Sequence, residues 1–254
     1  MTKFVEVKDL IIGKGTPKIC VPLVGSTISE ILEEATSINE FKPDLVEWRA
    51  DFFHQVEDIA KVKEALNQMR EVLIGLPLVF TFRSAREGGE REISPSYYVE
   101  LNESIIETGM VDLIDVELFN DERIVKNLIS LAHANNLYVI LSNHDFKQTP
   151  SKEEIISRLK RAQALGGDLP KIAVMPQTKA DVLTLLDATL TMNEQYADRP
   201  IITMSMAAKG VISRLAGEIF GSAVTFGTVG RLSAPGQVDI AELRNVLSLI
   251  HKNS

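Results

Sequence analysis

Short β-rich runs alternate with helical patterns eight times along this chain, and that alternation limits the possible folds more than any other feature. Strands are expected over residues 19–24, 45–49, 78–83, 111–118, 138–144, 172–175, 201–206 and 224–227. Helices are expected over 29–40, 59–70, 96–108, 122–135, 152–164, 180–194, 211–219 and 240–252. Strands joined through helices run parallel, because each crossover returns the chain to the same end of the sheet. A closed (β/α)8 barrel and an open doubly wound sheet both accept this order. The chain length of 254 residues matches a barrel. No G-x-G-x-x-G follows the first strand, so the usual mark of the dinucleotide-binding open sheet is missing. The expectation is an α/β TIM barrel. No low-complexity or Pro/Gly-rich linker divides the sequence, so residues 1–254 are expected to form one catalytic domain.

Local signals agree with these bounds. Ser151 and Glu154 resemble a capping box, Asp121 can cap the helix after it, and Gly109 and Gly166 fall where helices should stop. Residues 4–13 precede the first barrel strand and read as a short hairpin closing the bottom of the barrel. With 45% hydrophobic but only 6% aromatic residues, the core must be built largely of Ile, Leu, Val and Ala. That composition suits parallel strands covered by helices.

The net charge of −8, without basic runs, argues against nucleic acid or a membrane surface as partner. A small anionic substrate stays open, because a local arginine cluster can oppose the global sign. Cys20 is the single cysteine and reads as a small buried hydrophobe rather than a catalytic thiol. The opening residues lack an apolar signal-peptide core, and no run of apolar residues is long enough to span a bilayer. The expected location is the cytoplasm.

Side chains alternate between the two faces of a strand, and in a barrel the face toward the helices must be apolar. Val46 and Trp48 take that face in the second strand, which turns Glu47 and Arg49 inward. The same parity turns Thr81 and Arg83, Asp115 and Glu117, Ser142 and His144, and Lys171 inward. In the seventh strand Met204 and Met206 oppose Thr203 and Ser205. Charged groups inside a barrel are costly unless they pair or perform chemistry. A purely structural ion-pair network is one reading. The position of Arg49, Arg83 and His144 at the C-terminal strand ends, where barrels of this type hold their active sites, favours the chemical one.

A lysine among strands can attack a ketone once its amine is free, and desolvation or nearby cations favour the free amine. The resulting iminium withdraws electrons and acidifies the neighbouring C–H. His144 is the natural base for that proton, Glu87 in the loop after the third strand can orient the imidazole, and the arginines can clamp a carboxylate. Metal catalysis is the weaker reading and no metal site is expected. His54, His133, His144 and His251 include no H-x-H or H-E-x-x-H pair, and only His144 sits at a strand end.

These residues fall into motifs: Glu47-Trp48-Arg49-Ala50-Asp51, Thr81-Phe82-Arg83 running into Arg86-Glu87-Gly88-Gly89, and Ser142-Asn143-His144-Asp145-Phe146. Further on come Lys171-Ile172-Ala173-Val174-Met175, Met204-Ser205-Met206 with Gly210, Ser213-Arg214, and Ser233-Ala234-Pro235-Gly236-Gln237. In this order the set resembles the type I 3-dehydroquinate dehydratase family over nearly the whole chain. One departure is the first strand, Cys20-Val21-Pro22-Leu23, where the family more often has a small polar residue near Pro22.

The resemblance implies dehydration of 3-dehydroquinate to 3-dehydroshikimate in the shikimate pathway, with no cofactor. It implies an imine on Lys171 at the C3 ketone, His144 as the C2 base and later proton donor to the C1 hydroxyl, and Glu87 as its orienting partner. Arg214 would bind the carboxylate, while Glu47, Arg49, Arg83 and Gln237 would hold substrate oxygens. Met204, Met206, Phe146 and Phe226 would wall the pocket, and Ser233 and Ala234 would belong to a closing loop. A homodimer is also implied. Two alternatives remain open. A class I aldolase would share the barrel and lysine and would use Gly227, Gly230 and Arg231 to grip a phosphate. A non-catalytic metabolite-binding barrel would not need a nucleophile.

Overall fold

The computed structural model describes residues 4–230 and 233–254. Eight parallel strands lie side by side in chain order: β3 (Lys18–Leu23), β4 (Leu45–Arg49), β5 (Leu78–Thr81), β6 (Leu113–Glu117), β7 (Tyr138–Asp145), β8 (Leu169–Val174), β9 (Ile202–Ser205) and β10 (Val224–Thr228). β10 returns to pair with β3, Phe226 opposite Cys20, so the order is circular. The seam between β9 and β10 is closed by a single bridge, Ile201 to Ser222, in which Ala223 N–H donates to Ile201 O at 2.8 Å. The Ser222 hydroxyl accepts from Thr203 N–H at 3.0 Å, so a side chain replaces the next ladder bond. This is a (β/α)8 barrel rather than an open sheet.

The helices between the strands are α1 (Ile28–Glu40), α2 (Ile59–Val72), α3 (Pro95–Ile106), α4 (Glu122–Ala134), α5 (Lys152–Ala164), α6 (Lys179–Gln195), α7 (Val211–Leu215), α8 (Gly217–Phe220) and α9 (Ile240–His251). The helix expected over 211–219 is thus two short ones, broken at Ala216. A side chain at Gly217 would meet the Ser222 carbonyl at 2.9 Å, so the approach of this segment to the seam sets the break. Asp121 caps α4 as expected, whereas Ser151 accepts from Glu154 N–H without the reciprocal half of a capping box. Glu154 instead turns to Arg158 at 2.7 Å. Gly109 and Gly166 end α3 and α5 with φ of 63° and 102°.

Strand parity divides the core into two populations. Val46, Trp48, Phe80, Phe82, Ile114 and Val116 pack outward against the helices. Trp48 is fully buried and meets Phe80 edge-on at 5.6 Å. Its truncation to Ala would cost about 3–5 kcal/mol. Cys20, Leu45, Val79, Leu113, Ile140, Leu169 and Ile202 fill the barrel interior. Beneath them lies the hairpin of β1 (Val5–Val7) and β2 (Leu10–Ile12), which adds Val5, Val7 and Ile12 to the same apolar layer. The barrel floor is therefore apolar, and polar inward residues begin one step higher on β4 to β8, while Met204 and Phe226 continue the apolar lining on β9 and β10.

Candidate active site

The expected site residues converge at the C-terminal end of the barrel. Glu47, Arg49, Arg83, Glu87, His144, Phe146, Lys171, Met204, Met206, Arg214, Phe226, Ser233, Ala234 and Gln237 all line one cavity, together with Gly88 and Ala173.

Lys171 ties β8 to β4 and β6 through its charged neighbours. It rises from β8, which begins at Leu169, three residues earlier than expected, because Pro170 inside the strand hides its start. Its Nζ lies 3.2 Å from Asp115 Oδ2 and 3.6 Å from Glu47 Oε1. The Phe226 ring lies beside it, 4.6 Å away. Carboxylates, not cations, are thus its nearest charged neighbours. Asp115 is held from its other oxygen by Arg83 Nη2 at 2.8 Å and by the Ser142 hydroxyl at 2.6 Å. Arg83 Nη1 in turn donates to Glu117 at 3.1 Å and to Ser142 at 3.0 Å. Removing one partner from so buried a network would strand a charge, at a cost of roughly 3–5 kcal/mol.

His144 ends the inward row of β7, where β6 has already turned away. Its backbone N–H therefore donates to Glu87 Oε2 at 3.0 Å, and its Nδ1 lies 3.0 Å from the same oxygen. This arrangement directs Nε2 toward the cavity. Burial, followed by the charges of Arg83, Lys171 and Arg49, holds the imidazole well below its ordinary pKa of 6.5, so the ring rests neutral. Burial, then the charge of Glu117, pushes the Glu87 carboxyl up to about 8.

The turn carrying Glu87 is built on Ser84, whose carbonyl accepts Glu87 N–H at 3.0 Å and Gly89 N–H at 2.9 Å. Glu117 clamps Ser84 through its N–H and its hydroxyl, both at 2.8 Å. Gly88 has φ of 83°, and a Cβ there would meet the Phe146 ring at 2.2 Å. Only glycine lets this turn and the Phe146 wall close on each other.

The three arginines differ sharply. Arg49 forms a two-point pair with Asp51, Nε to Oδ1 and Nη2 to Oδ2, each at 2.8 Å. Arg83 is neutralised as described. Arg214 is 1% exposed, and among the described residues no carboxylate pairs with it. Its contacts are the Met204 sulfur at 3.8 Å and the carbonyls of Phe226 and Pro235, each at 3.4 Å, while Nε has no partner. Burial lowers its guanidinium from 12.5 to about 10. A buried cation in this condition is a ready-made anion site.

The loop bearing Ser233 to Gln237 lies over Arg214. Gln237 Oε1 accepts from Ser233 N–H at 2.8 Å, and its Nε2 donates to the Ser233 hydroxyl at 2.9 Å, so this amide braces the loop itself. Pro235 O accepts from Ala207 N–H at 3.0 Å, and Ala207 adopts φ of 57° with ψ of 177°, a region that disfavours side chains.

Three residues outside the expected site support it: Asp51, Asp115 and Glu117. Strand parity already pointed Asp115 and Glu117 inward, but which arginine each would meet depends on barrel closure. Asp51 follows Arg49 by two positions, a spacing with no pattern of its own, and also receives Arg83 N–H at 3.3 Å and Glu90 N–H at 3.1 Å. Cys20 is fully buried in the floor, and burial pushes its thiol well above the ordinary range. The other histidines lie elsewhere: His54 in an exposed turn, His133 on α4 against Asp168 at 2.8 Å, and His251 on α9 against Glu218 at 2.6 Å. Among the described residues no group of three His, Cys, Asp or Glu is placed to hold a metal ion. Arg231, the residue a phosphate grip would need, lies outside the described residues.

Comparison with known proteins points in one direction. The family model for type I 3-dehydroquinase matches residues 19–254. A 3-dehydroquinate dehydratase from Bacillus licheniformis is 58% identical over 253 residues, covering 100% of both chains. The crystal structure of a type I 3-dehydroquinate dehydratase from Clostridium difficile, with covalently modified comenic acid, is 55% identical and superposes with a TM-score of 0.98 over 100% of both chains. The 3-dehydroquinate dehydratase of Geobacillus kaustophilus gives a TM-score of 0.96 at 39% identity, covering 99% of this chain and 98% of that one. A barrel of this topology, a lysine and a histidine facing one cavity, and relatives of this similarity over the full length place the chain in the type I 3-dehydroquinase family, enzymes that are carbon–oxygen lyases.

Proposed function

We propose that this chain dehydrates 3-dehydroquinate to 3-dehydroshikimate and water through an imine on Lys171. The observation that carries the reading is the shared cavity: Lys171 and His144 face it beside Arg214, whose buried guanidinium calls for an anion. The substrate carboxylate binds Arg214, which positions the ring with its C3 ketone toward Lys171. Glu47, Arg49, Arg83 and Gln237 meet the remaining oxygens, Phe146, Phe226, Met204 and Met206 pack against the ring, and the Ser233–Ala234 loop covers it.

Lys171 Nζ attacks C3, and loss of water leaves a protonated imine. The iminium draws electrons from the C2–H bond, and His144 Nε2 takes that proton, giving an enamine. The enamine then expels the C1 hydroxyl, which His144 protonates so that it leaves as water. Hydrolysis of the conjugated imine releases product and restores the lysine. Glu87 Oε2 accepts a hydrogen bond from the Nδ1–H of His144 and so keeps Nε2 available as the base. The depressed basicity of the imidazole supports a ring that is neutral before the reaction and re-donates its proton readily.

The same reading makes residues 1–254 one catalytic domain, acting as a cytoplasmic homodimer. The family resemblance supports the dimer, and no helix among the described residues is long and apolar enough to cross a membrane. Incubation with 3-dehydroquinate tests the activity directly. The expected result is growth of the ultraviolet absorbance of a conjugated enone. No turnover of 3-dehydroquinate with retro-aldol cleavage of a sugar phosphate would favour an aldolase, and binding without turnover of either a metabolite-binding barrel.

A further inference from the structure

An amine that attacks a ketone needs a free electron pair, yet Lys171 sits in ion-pair contact with two carboxylates. Such contacts are those of an ammonium, so a proton must leave before attack, and the acceptor must stay beside Nζ as it extends into the cavity. The two carboxylates are not equivalent. Asp115 lies below the cavity and does not line it, and it is fully buried. Burial works to raise its carboxyl, but Arg83, Lys171 and the Ser142 hydroxyl outweigh that and hold it below the usual range. It is a fixed counter-charge and a poor proton acceptor.

Glu47 does line the cavity. Its Oε1 takes one neutral donor, the Thr81 hydroxyl at 2.9 Å, besides the lysine. No arginine pairs with it among the described residues. As Nζ advances from the barrel interior toward a ketone carbon it leaves Asp115 behind and remains alongside Glu47. The 3.6 Å now separating them closes by a small rotation of the four-carbon stem or through one water. His144, by contrast, is tied to Glu87 through both its ring and its backbone.

We propose that Glu47 is the catalytic acid–base group of imine formation, taking a proton from the Lys171 ammonium and returning it to the carbinolamine oxygen. The proposal rests on the Lys171 imine reading. Glu47 accepts one of the three ammonium protons, and the amine pair forms the N–C3 bond while the C=O pair moves to oxygen. A second nitrogen proton passes to that oxygen, making the carbinolamine hydroxyl. Protonated Glu47 gives its proton to the hydroxyl, the C–O bond breaks, and water leaves. Nitrogen keeps its last proton in the iminium, and Glu47 is again a carboxylate. Hydrolysis after dehydration runs the same sequence in reverse.

The test follows adduct formation separately from elimination. The full chain is mixed with 3-dehydroquinate, quenched with borohydride at intervals, and the adduct on Lys171 is read by mass. Glu47→Gln keeps the shape and the oxygen that accepts from Thr81, so a purely positioning role would survive it. The expected result is adduct formation slowed by roughly 100-fold or more, with a rate that climbs with pH as free amine is supplied by solvent. Exchange of the C2 proton, measured once imine has accumulated, should be slowed far less than adduct formation. In Glu47→Ala, added formate should restore part of the adduct rate, which also covers a Gln variant that folds poorly. Wild-type adduct kinetics in Glu47→Gln, a slowed rate without the pH dependence, or an absence of formate rescue would overturn the proposal. If the wild-type chain itself yields no adduct on Lys171, the imine reading fails and this inference falls with it.

Discussion

Replacing Arg214 by methionine should make the free protein more stable and its substrate binding far worse. The guanidinium is 1% exposed with no carboxylate beside it among the described residues. Its fall from 12.5 to about 10 corresponds to on the order of 3 kcal/mol that the folded state bears to keep the cation buried. Methionine fills similar apolar space against Met204 and Phe226 and carries no charge. Against the gain stand three long hydrogen bonds, at 3.4 to 3.8 Å, together worth about 1–2 kcal/mol. The net expectation is about 1–2 kcal/mol of stabilisation, a rise in Tm of roughly 3–6 °C for a chain of this size.

Binding moves the other way. Loss of a buried charged partner for the carboxylate costs about 2–5 kcal/mol, which predicts KM raised on the order of 100-fold or more. Because the clamp holds ground and transition states alike, kcat should change much less. Urea or thermal melts of the free protein, paired with steady-state kinetics, read both effects. A variant destabilised by about 2 kcal/mol or more would refute the claim that Arg214 is an uncompensated charge. An unchanged KM would move the carboxylate site to Arg49 or Arg83.

Other perturbations separate the remaining roles. His144→Ala should still form the Lys171 adduct but lose roughly 100-fold or more in turnover, with C2 deuterium exchange stalled; exchange at the wild-type rate would assign the base elsewhere. The Glu87 carboxyl is raised from 4.5 to about 8, so the folded chain holds a proton the unfolded chain has lost, and stability declines as pH rises through that window. His144, held well below 6.5, acts in the opposite sense only under pH 6.5, which leaves the Glu87 effect alone between about 6.5 and 8. Glu87→Gln should therefore flatten the fall of Tm across that range, and an unaltered slope would mean that Glu87 is already ionised at neutral pH. Exhaustive chelation should leave activity intact; loss with EDTA that a divalent metal restores would overturn the metal-free mechanism.

The alternation of side chains along strands made most of the site legible. Once Trp48 and Phe80 must face helices, Glu47, Arg49, Thr81 and Arg83 have nowhere to point but inward. The motifs then joined Glu87, Arg214 and Gln237 to them across loops that no periodicity describes. Charge partnership was not legible, because it depends on which strands neighbour one another after closure. The carboxylates facing Lys171 come from β4 and β6, and sequence spacing gives no sign that both reach it. That no carboxylate among the described residues pairs with Arg214 is likewise a three-dimensional fact: Asp115 and Glu117 are engaged by Arg83, and Asp51 by Arg49. Pro170 masked the start of β8, and the seam contact at Gly217 divided a helix whose sequence reads as continuous.

The proposed reaction passes through a covalent bond to Lys171, and borohydride reduction during turnover of 3-dehydroquinate detects that bond directly. The predicted result is permanent inactivation, with the substrate-derived mass mapped to Lys171 and absent from a Lys171→Met variant. An active preparation that survives the reductant, or an adduct mapped to any other residue, would contradict the central claim.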